Sequence, residues 1–216
     1  IWCNNVNEEI SHLERLKNKT EYGRCDFVLI AEGKKGYADQ INDPTTLIAE
    51  GIYRTDLKND VKKTQGFSET ISSVDSDYLI FLDSSVIDVD GGWVEELVSQ
   101  MTLTNVGCVC GRFSYNGGDG PSYTVPDLRS ESPGYYHQFL TSCSRHSNGL
   151  HCQQLLLFAP WDICIVRRSD YVKLGGFDYE NYPAIFAMTD FALRAAREGL
   201  DIIYTPYARV YGQHSG

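Results

Sequence analysis

Helical and strand patterns alternate along the chain from residue 5 to residue 113, and this alternation constrains the fold more than any other feature. In "NNVNEEISHLERLKNKTEYG", Ile10, Leu13 and Leu16 recur at helical spacing with acids in the first half, which predicts an amphipathic helix. "CDFVLIAEG" reads as a short strand closed by glycine, and the ambiguous "DPTTLIAEGIYRT" contains a second strand. "TQGFSETISSVDS" carries Phe67, Ile71 and Val74 at helical spacing and leads into an apolar strand over 78–82. "WVEELVSQM" is a helix packing through Trp93, Leu97 and Met101, and "VGCVCGRF" is the next strand, with Cys108 and Cys110 on one side facing the core. Elements in this order predict an α/β domain with a central, mostly parallel mixed sheet flanked by helices.

The pattern changes after residue 113. Residues 114–160 are rich in Gly, Pro and Ser without a regular period, which predicts a long irregular insertion. "WDICIVRRSDYVKLGGF" then reads as a strand and a short helix capped by Gly175-Gly176. "MTDFALRAAREGLDIIYTPYARVYG" reads as a helix ended by Gly199 and two short strands around Pro206. The expected organisation is one domain over 1–216, with a first half over 1–113 and a second over 114–216. Its start at Ile1, "IWCNN", reads like the end of a strand, as in a domain cut from a longer protein.

Composition removes several function classes. A net charge of −10 argues against nonspecific binding to nucleic acid or to an anionic membrane, both of which need a basic surface. No apolar run approaches the roughly 20 residues that span a bilayer; the longest, "LLLFAPWDICIV", is interrupted by Pro160 and Asp162. Seven cysteines do not suggest a disulfide framework. Cys143, His146, His151 and Cys152 cluster in sequence, but the adjacent His-Cys pair is awkward for one tetrahedral centre.

The segment "DYLIFLDSSVIDVDGGW" carries the chemistry. A buried strand ending abruptly in Asp83 looks like the edge of an active site, because ligands of open α/β sheets sit at the carboxyl ends of strands. Two serines follow where a metal site would want a second carboxylate, and Asp88 and Asp90 stand as substitutes or as solvated turn acids.

Three blocks resemble the family 2 glycosyltransferases, the large inverting group with the GT-A fold. "SSVDSDYLIFLDSSVIDVDGGWVEELV" is similar to that family's strand, Asp-x-Asp turn and following helix. "DICIVRRSDYVKLGGFDYENY" is similar to its acceptor-side strand, helix and Gly-Gly-Phe-Asp, and "TDFALRAAREGLDIIYTPYARVYGQHSG" to its catalytic helix and terminal histidine segment. The resemblance spans nearly the whole chain. It implies transfer of a sugar, with inversion, from a nucleotide-sugar (a UDP-sugar is the expected donor) to a saccharide or lipid-linked acceptor. It further implies a role in polysaccharide biosynthesis and a cytoplasmic location, at most peripheral to a membrane.

The resemblance also assigns residues. Glu32, Ser68, Asp83, Ser85 and Arg168 fall at donor-binding positions, and Trp161 and Asp162 on the acceptor side. Asp83 and His214 are the candidate ligands of Mn2+ or Mg2+, although Ser85 stands where the family supplies the metal-bound carboxylate. Counted back from Arg194, the family's base falls at Met188, and Asp190 matches the second acid of that helix. Either a small shift makes Asp190 the base, or Asp178 serves, or the base is absent. Ala31, Ser68, Ser85 and Met188 depart from the family together. That is the pattern of a domain that keeps the fold but binds glycans or a partner without turnover.

Overall fold

The computed structural model describes residues 6–32, 46–49, 52–57, 63–83, 85–115, 122–126, 135–139, 152–156, 159, 162–182 and 184–212. Its first helix, α1 (Val6–Lys19), leads to β1 (Phe27–Glu32), β2 (Thr46–Ala49), β3 (Ile52–Leu57) and α2 (Lys63–Ser73). Next come β4 (Tyr78–Leu82), β5 (Val86–Val89), α3 (Trp93–Met101) and β6 (Val106–Tyr115). The second half contributes β7 (Ser122–Pro126), β8 (Tyr135–Phe139), β9 (Gln154–Leu156), β10 (Ile163–Arg167), α4 (Arg168–Lys173), α5 (Ala184–Arg197) and β11 (Asp201–Gly212).

The main sheet is mixed, in the order β4-β10-β6-β11-β5, with β9 pairing β11. Strands β4 and β6 are both antiparallel to β10, and β11 is parallel to β6, so β4, β6 and β11 run in one direction as the helix–strand alternation predicts. The expected parallel majority does not result, because β10 inserts between β4 and β6 in the opposite sense. Strands β5 and β9 also run against β11. In a smaller sheet, β3 pairs β1 parallel and β2 antiparallel. Both halves of the chain therefore build one sheet, since β10 and β11 from the second half lie among strands of the first.

Three further local expectations change. The turn after Asp83 contains the short strand β5, held because Val86, Asp88 and Val89 find partners on β11. Around Pro206 there is one long strand, β11, whose register shifts between Tyr204 and Arg209. The bulge absorbs the missing proline N–H without ending the pairing. Within 114–160, the described residues include the antiparallel pair β7–β8 and the strand β9.

Two apolar layers cover the two faces of the main sheet. On one face Trp93, Val94, Leu97 and Met101 of α3 pack with Leu13 and Leu16 of α1 against Val109, Phe113, Ile163 and Ile165. Trp93 donates its ring N–H to the Thr20 hydroxyl at 3.0 Å, so the buried indole is satisfied. On the other face, Ala187, Met188, Phe191, Ala192 and Ala195 of α5 cover Cys108, Cys110, Cys164 and Val166. Strand alternation explains the division, because from Cys108 onward in β6, and throughout β10, even-numbered residues face α5 and odd-numbered ones face α3. No helix among the described residues is long and apolar enough to cross a membrane.

Candidate active site at the carboxyl ends of the strands

Strand β4 ends on Asp83, whose N–H donates to the Asp162 carbonyl at 3.0 Å, one step beyond the Leu82–Ile163 pair. The two acids, one assigned to the donor and one to the acceptor, therefore stand directly across from each other. One Asp83 oxygen, Oδ1, accepts the Ser85 N–H at 2.8 Å, and the Val86 N–H closes the turn on the Asp83 carbonyl at 3.1 Å. Asp162 is only 7% exposed. It lies two residues before Cys164 on the α5 face, beneath the helix that buries that face.

The row continues across the sheet. Cys164 pairs with Cys110, and a Cβ on Gly111 would lie 3.0 Å from Ile163 Cδ1, so the next step of the register sets Arg112 beside Asp162. Arg112 follows Cys108 and Cys110 on the α5 face, and its register partner on β11 is Arg209. The Asp90 N–H in turn donates to the Arg209 carbonyl at 3.1 Å. Four neighbouring strands thus carry Asp83 just past β4, Asp162 just before β10, and Arg112 and Arg209 three residues short of the ends of β6 and β11, beside a layer of cysteines, alanines and aromatics. The Arg112 Nε is buried and has no hydrogen-bond partner among the described residues. An unsatisfied buried donor of this kind costs about 1–3 kcal/mol.

Two of the cysteines beneath, Cys110 and Cys164, are buried and held as thiols. Burial pushes the Cys110 thiol well up, with Cys108, Cys164 and Asp162 adding in the same direction, and burial likewise raises Cys164. Of the earlier sequence cluster, only Cys152 lies among the described residues, and it is exposed.

Other expected site residues are placed elsewhere. Met188, at the family's base position, is fully buried, and its Sδ receives the Cys164 thiol at 3.7 Å. Asp190 turns away from the sheet. Its Oδ2 accepts from Arg194 Nε at 2.8 Å and Nη2 at 2.7 Å, while the same guanidinium donates to the carbonyls of Leu174 and Gly176. That network ties α5 to the end of α4. Asp190→Asn is expected to lower stability by about 1–2 kcal/mol, a fall in Tm of about 2–8 °C, with turnover kept. Differential scanning fluorimetry beside an activity assay checks it, and a wild-type Tm with lost turnover overturns it.

Asp178 caps a turn, accepting from the N–H groups of Glu180 and Asn181 at 3.1 Å and from the Asn181 amide at 2.7 Å. The Asn181 hydrogen bonds hold its pKa below the ordinary carboxylate value, which makes it a weaker base. Arg168 sits at the opposite end of β4, donating to the Ile71 and Ser72 carbonyls at the end of α2. Ser68 is exposed on α2, and Glu32 ends β1. Asp88 is paired with Lys19 at 2.6 Å, and Asp90 accepts the Tyr211 hydroxyl at 3.0 Å, so neither substitutes at the Asp83 turn. Trp161 and His214 lie outside the described residues.

Sequence reasoning missed Arg112 and Arg209. A signal was present for Arg112, because an arginine two positions after two core-facing cysteines must point the same way.

Among the described residues, the donor set does not suit Mn2+ or Mg2+. Such ions take several oxygen ligands, with carboxylates preferred. The turn offers one carboxylate, already engaged by the Ser85 N–H, and a serine hydroxyl. No group of three His, Cys, Asp or Glu side chains among the described residues is disposed to hold an ion.

No protein-family model matches the sequence, and no curated protein matches it. Solved structures do match its fold. One is the mannosyltransferase PcManGT from Pyrobaculum calidifontis, in complex with GDP-Man and Mn2+, with a TM-score of 0.61 at 13% identity. The match covers 97% of this chain and 54% of that one. GalNAc-T7 with UDP, GalNAc and Mn2+ matches at 0.61 and 15% identity over 88% of this chain and 38% of its own. S. aureus TarS 1-349 matches at 0.56 and 12% identity over 97% and 58%. The chain spans about half the length, or less, of these structures. The mixed central sheet covered by helices on both faces has the GT-A fold of these structures.

Proposed function

We propose that this chain is a glycosyltransferase domain that moves a sugar from a nucleotide-sugar donor, a UDP-sugar the first candidate, to a saccharide or lipid-linked acceptor with inversion. The observation that carries the proposal is the charged row Asp83, Asp162, Arg112 and Arg209, which crosses β4, β10, β6 and β11 toward the carboxyl ends of β4, β6 and β11. Ligands of open α/β sheets bind at that edge. Asp83 holds the donor at its ribose or diphosphate, and Glu32, at the same end of β1, holds the nucleoside.

In a single displacement, the acceptor oxygen bonds to the anomeric carbon as the bond to the phosphate oxygen breaks, and the nucleoside diphosphate leaves with the electron pair. The acceptor hydroxyl must lose its proton to a carboxylate. Asp162 takes it, because it is the acid directly across from Asp83.

The test is a panel of UDP-, GDP- and other nucleotide-sugars, scored by thermal shift and by release of the nucleoside diphosphate. One donor should stabilise the protein and be turned over. No shift and no release with any donor would sink the proposal. The burial of Met188 favours one other reading, a domain that binds the donor without transfer, and a thermal shift without release is its signature.

A further inference from the structure

An inverting transfer leaves two phosphates with developing negative charge, and something positive must meet it. The Asp83 turn is badly composed for a divalent ion, as its donor set shows. Two positions along the same row, the sheet presents a guanidinium. Resting on the nucleotide-sugar reading, we propose that Arg112 supplies the counter-charge for the leaving nucleoside diphosphate, so that the domain binds its donor without a divalent metal.

Three observations support this assignment. Arg112 lies on the α5 face three residues before the end of β6, next to Asp162 in the continued β6–β10 register. Its Nε is buried without a hydrogen-bond partner among the described residues, so a donor faces the interior and is not used there. Guanidinium presents a planar fork that pairs with two phosphate oxygens at once, a geometry an ammonium lacks. The other arginine of the row, Arg209, already spends its Nε on the Pro206 carbonyl at 3.3 Å. The short span from Arg112 to Asp162 also sets the leaving-group charge beside the acid that receives the acceptor proton.

The experiment is isothermal titration of the whole chain with UDP, GDP, uridine and guanosine, in excess EDTA and in Mn2+. Wild type should bind one diphosphate in EDTA with an affinity that Mn2+ leaves unchanged. Arg112→Gln should weaken the diphosphate about 30- to 100-fold and leave the nucleoside alone unaffected. Arg112→Lys, which keeps the charge and loses the fork, should fall between. It carries the test if the glutamine variant does not fold. Binding that EDTA abolishes and Mn2+ restores overturns the inference while leaving the nucleotide-sugar reading intact. So does an Arg112→Gln protein with wild-type affinity. If wild type binds neither diphosphate in either condition, the nucleotide-sugar reading fails, and the inference with it.

Discussion

Asp162→Asn is expected to reduce kcat about a thousandfold, within the range that a general base contributes, with a much smaller change in the donor KM. The carboxamide keeps the volume and the strand, since the Asp162 carbonyl, which accepts from the Asp83 N–H, is untouched. What it removes is a proton acceptor at the one strand end where two acids face each other. The pH profile separates this role from a structural one. Wild-type kcat/KM should rise with unit slope on the acid side, and the variant should lose that limb. Near-UV circular dichroism checks the fold. A variant within tenfold of wild type in kcat would remove Asp162 as the base and return the choice to Asp190, whose own asparagine variant is expected to keep turnover.

Gly176→Ala carries the largest expected effect on stability. Gly176 has φ +69°, and a Cβ there would stand 2.9 Å from Tyr171 Cε1, inside contact distance of a buried ring. The left-handed backbone costs about 1–2 kcal/mol for a residue with a Cβ, and displacing a packed aromatic adds about 1–3 kcal/mol. Gly175 has φ +83°, yet a Cβ there meets nothing within 4 Å. Gly175→Ala should therefore lose only the backbone part, roughly 1 kcal/mol. Urea denaturation of the two variants measures the difference, and equal losses would rule out the ring contact as its cause. The Tyr171 ring meets Phe177 edge-on at 5.0 Å and Phe81 at 5.5 Å, two residues before Asp83, so the damage reaches the strand that ends in Asp83.

Much of the fold was legible because its information is local. Apolar spacing over 6–19, 93–101 and 184–197 marks helices by the face each must bury, and the Tyr78–Leu82 run marks a strand. Gly175 and Gly176 end α4 as expected, both with positive φ. Strand β5 was not legible, because four residues of mixed polarity become a strand only when β11 lies beside them. The pair of Asp190 and Arg194 was legible only as a possibility, since the i,i+4 spacing allows it on any helix. What spacing cannot say is whether the pair is needed to join α5 to α4.

The active-site row divides the two kinds of information most clearly. Local pattern alone determined that a buried strand ends in Asp83, that Ser85 follows it in the turn, and that Arg112 shares a side with Cys108 and Cys110. Only the tertiary structure decided that Asp162, 79 residues after Asp83 in the chain, stands across from it, and that Arg112 lies on the next strand, β6. Strand periodicity reports which way a side chain points, whereas register and neighbour order arise from packing between segments far apart in sequence. The insertion of β10 between β4 and β6 is such a decision, and it brings the acids and the arginine to one edge.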